Sequence, residues 1–233
     1  MTVKLQHFIE RYEGSSFPTL VRTDDGRRSV LKMRGAGNGA AGLISEFLVN
    51  RLASAGGLPV PDVSVIHIDH GFPWKFGTDE FHDLVQKSFG PNLGIEWLEG
   101  AKVVPPDHLH SLPDDFVSQL VTIDLVFANV DRTVQSGNVL KDSHGRLWIV
   151  DHGSCRFLFQ SIMSLPSMLP ADHVFAGSDE TFSPRWLSSV DSTAVASAVD
   201  EIPTQWLTET RLTKERVGEL LIQSLRLARP NQR

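Results

Sequence analysis

Residues 129 to 153 constrain this chain more than any other stretch. They read Asn129-Val-Asp131-Arg-Thr-Val-Gln-Ser-Gly-Asn138-Val-Leu, then Lys141-Asp-Ser-His-Gly-Arg-Leu-Trp-Ile-Val, then Asp151-His-Gly. A helix-like apolar run from Leu120 to Phe127 delivers the chain into Asn129 and Asp131. A polar loop follows, and a turn at Asp142 to Gly145 makes a hairpin of Val139-Leu140 with Leu147 to Val150. Asp151 stands where the return strand ends. Three oxygen-bearing side chains, Asp131, Asn138 and Asp151, thus occupy the ends of adjacent elements. Phosphoryl transfer needs such a set: one carboxylate accepts or orients the proton of the attacking hydroxyl, while a carboxylate and an amide hold Mg2+ on nucleotide phosphates. Taken singly, each is a common turn residue; the order in which they come carries the reading.

Upstream residues extend it. Residues 3–12 read as a strand entering a turn at Glu13-Gly14-Ser15-Ser16, and Thr19 to Thr23 is a short strand by its β-branched content. Asp24-Asp25-Gly26 is a hairpin signal, because Asp and Gly tolerate the backbone angles of tight turns. Ser29 to Met33 is the return strand, and it carries Lys32. A lysine at a strand end is either a solvated charge or, in a nucleotide-binding sheet, the group that reaches the phosphates. A helix over Gly39 to Ala55 follows, with Ile44, Phe47, Leu48 and Leu52 on one stripe and Glu46 as its only acidic residue. Glu46 either faces water or orients Lys32. Gly35-Ala-Gly37-Asn-Gly39 either cradles phosphates through backbone N–H groups at the helix start or is a flexible connection.

These motifs resemble the protein-kinase-like superfamily, and within it the HipA-like kinases, in their short stand-alone bacterial branch. The resemblance lies in Asn-Val-Asp-Arg-Thr, Gly-Asn-Val-Leu and Leu-Trp-Ile-Val-Asp-His-Gly, in residues 30–39, and in Gly57-Leu-Pro-Val-Pro61. It covers roughly residues 5 to 160. It implies an α+β, two-lobed kinase-like fold: a small antiparallel β-sheet lobe over 1–104 and a mainly helical lobe over 105–233. It implies ATP and Mg2+ as cofactors, with Lys32 on the phosphates, Glu46 orienting it, Asp131 as base, and Asn138 and Asp151 on the metal. Gly14, Ser15, Ser16, Gly35 and Gly37 are candidate phosphate contacts, and Glu96 and Leu98 belong to the hinge that would meet the adenine. The family's regulatory first-loop serine makes Ser15 or Ser16 a candidate self-phosphorylation site. The acceptor would be a protein serine or threonine hydroxyl, including the chain's own, or a small-molecule hydroxyl, and an antitoxin-like protein is a candidate partner.

Three departures accompany the likeness. The first loop lacks Gly-x-Gly-x-x-Gly. Asn138 stands seven positions after Asp131, beyond the spacing of the ordinary catalytic loop. No Ala-Pro-Glu follows. A nucleotide-binding regulator without turnover is therefore the rival reading.

Composition narrows the field. The chain has 233 residues, 41% apolar and 21% charged, as in ordinary globular proteins. No apolar run is long enough to span a bilayer and no signal peptide opens the sequence, so a cytoplasmic location is expected. A single cysteine, Cys155, excludes an internal disulfide, and no Cys/His spacing suits zinc. The net charge of −6 argues against nucleic acid as a partner.

The rest of the chain is expected as follows. Asp62 to Asp69 is a strand. Residues 70–90 are an insertion over the nucleotide cleft or the small lobe. Leu93 to Leu98 is the lobe's last strand. Pro105 to Pro113 is linker, and Asp114 to Phe127 is a helix with Phe116, Leu120, Ile123 and Phe127 on one stripe. Asp124 inside that run either pairs with Arg132, pinning the catalytic loop, or faces water. Ser161 to Pro184 is irregular and would grip substrate. Pro184 to Val199 and Thr213 to Ala228 are helices, the latter capped by Thr213.

Overall fold

The computed structural model describes residues 2–14, 16–73, 77–159, 169–177 and 186–228. Strands β1 (Thr2–Arg11), β2 (Thr19–Thr23), β3 (Arg28–Lys32), β4 (Val63–Ile68) and β5 (Gly90–Glu96) close a five-stranded barrel in the order β1-β2-β3-β5-β4. The β2–β3 turn forms where Asp24-Asp25-Gly26 predicts it. Gly26 has φ +82°, and Asp25 Oδ1 accepts from Thr23 Oγ1 at 2.6 Å and from the Arg27 amide at 3.2 Å.

Closure corrects the expected simple antiparallel sheet. Strand β1 breaks register against β2 twice, between Leu5 and His7 and between Phe8 and Glu10. Such irregularities bend a strand. Its first residues therefore leave β2 and run parallel to β4, with Val3 opposite Ile66. Helix α1 (Gly39–Ala55) leaves the barrel after β3, and α2 (Asp79–Lys87) starts at Thr78, whose hydroxyl accepts from the Phe81 amide. Phe81, Leu84 and Val85 of α2 pack on Val3, Leu31 and Ile66, forming a core inside the small lobe. The 70–90 insertion thus serves the barrel.

Helix α1 keeps the expected bounds but not the expected one-sided burial. Twelve of its 17 residues are buried, Glu46 and Asn50 among them. A helix apolar on most faces is buried on most faces, and α1 touches β4, β5 and three later helices.

The expected linker holds structure of its own: β6 (Lys102–Val103) and α3 (Pro106–Leu109). Strand β6 joins β7 (Val139–Lys141) and β8 (Leu147–Ile149) in a second sheet. Helix α4 (Asp114–Phe127) begins with two aspartates, which suit the positive end of a helix. It ends on Ala128 at φ +53°, after which the Asn129 amide closes on Asp124 O at 2.9 Å. Helices α5 (Ser192–Asp200), α6 (Thr204–Thr210) and α7 (Lys214–Ala228) complete the chain. Thr213 accepts from the Arg216 amide at 3.2 Å, the cap expected of it. Helix α6 was not expected; Trp206 buries its ring against Phe47 and donates Nε1 to Pro91 O at 2.9 Å. The expected helix start at Pro184 and most of the segment 161–184 lie outside the described residues, but residues 186–189 form turns and the helix begins only at Ser192, where Asp191 caps it by accepting from the Ala194 amide at 2.8 Å.

The larger core crosses residue 104. It joins Phe47, Leu48 and Leu93 to Leu120, Trp206 and Leu221.

Candidate active site

The end of β3 and the middle of α1 bring Lys32 Nζ to 2.5 Å from Glu46 Oε2, and the residue after the β7–β8 hairpin brings Asp151 Oδ1 to 2.9 Å from the same nitrogen. Glu46 is 1% exposed, so the alternative of a solvated helix charge is excluded. Burial pushes the Lys32 ammonium down, but Glu46 and Asp151 outweigh it and hold its pKa above the usual lysine range. Burial raises Asp151, yet Lys32 overrides this and keeps its pKa low, so the carboxylate is ionised. Ser45, the residue before Glu46 on α1, fastens the helix to the Asp-His-Gly turn by donating to His152 O at 2.8 Å. Asn50, one helical turn on, donates to Glu46 O at 2.9 Å.

Asn138 and Asp151 share a cavity of about 370 Å³ with Lys32 and Glu46. Both take left-handed backbone angles, φ +50° and +65°. Asn and Asp visit this region more readily than most residues, and such strain gathers at functional sites. Among the described residues Asn138 Nδ2 is buried without a hydrogen-bond partner. Among the described residues no group of three or more His, Cys, Asp or Glu side chains could hold a metal. A cation here would rest on one carboxylate, one amide oxygen and its own other ligands. Hard oxygen donors in that number fit Mg2+ held largely by phosphates and water.

Arg132 fixes the loops on which these residues stand. Asp124 is buried and pairs with it, so the water-facing alternative fails. Arg132 Nη1 donates to Gly137 O at 2.9 Å and Asn138 O at 3.0 Å. His173 Nε2 meets Asp124 Oδ2 at 3.0 Å, and Asn129 Nδ2 donates to Asp124 Oδ1 at 2.8 Å. Burial raises Asp124, but Arg132 first and His173 second bring its pKa down to about 2. The long loop between Asp131 and Asn138 is stapled internally: Ser136 Oγ donates to Asp131 O at 2.8 Å and its amide to Thr133 Oγ1 at 3.2 Å. The Asp131 carboxylate is displaced upward by burial and then by the Asp151 charge. Ser154 Oγ donates to it at 3.4 Å.

Other candidates divide. Ser16, Glu96 and Leu98 line the same cavity, with Val30 and Leu140 as apolar walls. The amides of Glu96 and Trp97 are spent on Asp62 O and Arg28 O. The phosphate role expected of Gly35 meets an obstacle: its amide donates to Ser88 Oγ at 3.0 Å, and a Cβ there would press on Lys87, away from the cleft. Gly14 abuts Pro18, and neither it nor Gly37 lines the cavity. Ser15 lies outside the described residues. Sequence reasoning missed the rim pair Tyr12 and Trp97, whose rings stack 6.0 Å apart with planes 5° from parallel. It also missed Asn38, His173 and Ser154, each brought in by tertiary contact.

The sequence profile of HipA-like kinases matches residues 6–227. The chain belongs to the HipA-like kinase family. Among solved structures, the one titled the crystal structure of a Helicobacter pylori proinflammatory kinase CtkA shares the fold of this HipA-like kinase. It superposes with a TM-score of 0.61 at 11% identity, over 98% of this chain and 96% of that one. At that identity the match establishes a shared kinase-like fold. No curated protein matches the chain. Membership makes it a kinase-like phosphotransferase in general terms, and family members of this kind use a nucleotide and a divalent metal. No helix among its described residues is long and apolar enough to cross a membrane.

Proposed function

We propose that this HipA-like kinase transfers the γ-phosphoryl group of ATP, with Mg2+, to a protein serine or threonine hydroxyl. The observation that carries this is the meeting of Lys32, Glu46 and Asp151 opposite Asn138 in one cavity. Lys32, held by Glu46, grips nucleotide phosphates. Asp151 and Asn138 would hold the metal, which would supply neutralisation of charge on the phosphate oxygens. Asp131 takes the proton of the acceptor hydroxyl; its upward displacement suits a base that must both release and accept. Val30 and Leu140 would flank the adenine, near the Leu98 amide, which has no backbone partner among the described residues. In this reading the chain up to residue 104 carries most of the nucleotide contacts, and residues 105–233 carry the base, the metal ligands and one apolar wall, Leu140. Catalysis is positioning and charge stabilisation, because the transition state is loose.

The test is the mass of the protein and of a dephosphorylated casein before and after incubation with Mg-ATP, beside Asp131→Asn. Phosphate gained with the parent protein and lost with Asp131→Asn, at unchanged ATP binding, is the expected result. ATP binding without any transfer by the parent would favour the regulatory rival, toward which the glycine-poor first loop points.

A further inference from the structure

Ser154 directly follows Asp151-His152-Gly153, and among the described residues its hydroxyl is the one that reaches the Asp131 carboxylate, at 3.4 Å from Oδ2. Ser136, the neighbouring rival, spends its proton on the Asp131 backbone carbonyl. The Ser154 oxygen also accepts from Asn38 Nδ2 at 3.4 Å, and Asn38 steadies the adjoining peptide by donating to Gly153 O at 3.2 Å. Asn38 thus occupies one lone pair and Asp131 receives the proton, and among the described residues no other hydrogen bond of the Ser154 hydroxyl is found. An oxygen set between a donor and a carboxylate base in this way is an oriented nucleophile. Contacts of this kind are long without substrate and tighten in the reacting complex.

Its place relative to the phosphate-holding groups agrees. A Cβ on Gly153 would lie 3.4 Å from Glu46 Oε2 and 3.9 Å from Asp151 Oδ1. The peptide carrying Ser154 therefore lies against the Lys32 cluster. Ser154 itself is half-buried, open enough to meet a bound group.

We propose that Ser154 is a phosphate acceptor of its own chain's active site, an inference that rests on the phosphotransferase reading above. Ser154 Oγ forms a bond to the γ-phosphorus of ATP. The bond from that phosphorus to the β,γ-bridging oxygen breaks, its electron pair leaves with ADP, and the hydroxyl proton passes to the Asp131 carboxylate. The product carries a phosphate of charge about −2 beside Asp131 and Asp151. Like-charge repulsion then opposes a second nucleotide, so the reaction occurs once per chain and slows later turnover.

The experiment incubates the full-length protein with Mg-ATP over a tenfold range of protein concentration. ADP release, intact mass and phosphopeptides are followed, with Ser154→Ala and Asp131→Asn alongside. Expected are one phosphate on the Ser154 peptide, at a rate per molecule independent of protein concentration, and none there in either variant. ADP formation with phosphate on Ser15 or Ser16 alone, or on added protein alone, overturns this proposal and leaves the phosphotransferase reading standing. A rate per molecule that rises with concentration overturns the same-chain route. No ADP and no phosphate despite ATP binding overturns both.

Discussion

The Arg132 guanidinium and the Asp124 carboxylate form an ion pair in which neither side chain is exposed at all. Removing one member of a buried pair strands the other charge, which costs about 3–5 kcal/mol. Asp124→Ala is expected to lower Tm by about 10 °C, at roughly 2–4 °C per kcal/mol for a chain of this size. Because Arg132 also holds the Gly137 and Asn138 carbonyls, phosphoryl transfer should fall with it. Thermal unfolding beside ADP release checks both. An unchanged Tm would mean that the pair contributes nothing net.

Acid stability separates two buried groups. His152 has its pKa pushed down to about 3 by burial and by Arg132, from 6.5. The unfolded chain therefore binds a proton below pH 6.5 that the folded chain refuses, and stability falls as pH drops from 6.5 toward 3. Asp124, at about 2 against 3.8, contributes stability that persists above 3.8 and is lost as pH falls toward 2. Urea unfolding at pH 7.5 and pH 4.5 should show a clear loss in the parent and a smaller one in His152→Phe. Equal losses would remove His152 as the cause.

Lys32 and Glu46 should behave as a unit. Lys32→Met is expected to reduce phosphoryl transfer by about 10²- to 10³-fold, the usual effect of deleting one preorganised charge. It leaves Glu46, at 1% exposure, without its cation and should lower stability. Adding Glu46→Gln to Lys32→Met should then restore part of the lost stability without restoring transfer. A strictly additive double mutant would show that the pair is not coupled.

Tyr12 is the only tyrosine of the chain, and its stack on Trp97 lies on the rim of the cavity that holds Lys32 and Asp151. Such a ring pair contributes about 0.5–1.5 kcal/mol beyond its buried area. Tyr12→Ala should weaken ATP binding by roughly two- to tenfold, since 1.4 kcal/mol is tenfold. Trp97→Phe should abolish the tryptophan fluorescence change on ATP addition. Persistence of the full signal in Trp97→Phe would place the reporter elsewhere.

Local signals in the sequence were readable where the cause is local. The Asp24-Asp25-Gly26 and Asp142–Gly145 turns, the bounds of the Asp114–Phe127 helix and the Thr213 cap all follow from nearest-neighbour chemistry. Glu46 was legible as a partner for Lys32 because it is the lone acid of an apolar helix. Parallel closure of the first strand on Val63–Ile68 was not, since pairing between residues so far apart in sequence leaves no periodic mark. Helix α6 escaped because its seven residues show no repeat and its place is fixed by one tryptophan. Gly35 misled for the opposite reason: a glycine-rich stretch reads the same whether it faces phosphate or, as here, the wall of a neighbouring helix. His173 and Ser154 lie on irregular chain, and only the folded path brings them to Asp124 and Asp131.

The helix that carries Glu46 is packed on nearly every side, against the barrel behind it and against α4, α5 and α6. Kinases switched by swinging this helix away from its lysine need an open flank for it to swing into. Here that motion would tear the main core, including the Phe47–Trp206 contact. The Lys32–Glu46 contact is thus anchored by the main core, and a change that separated the two would have to unpack that core as well.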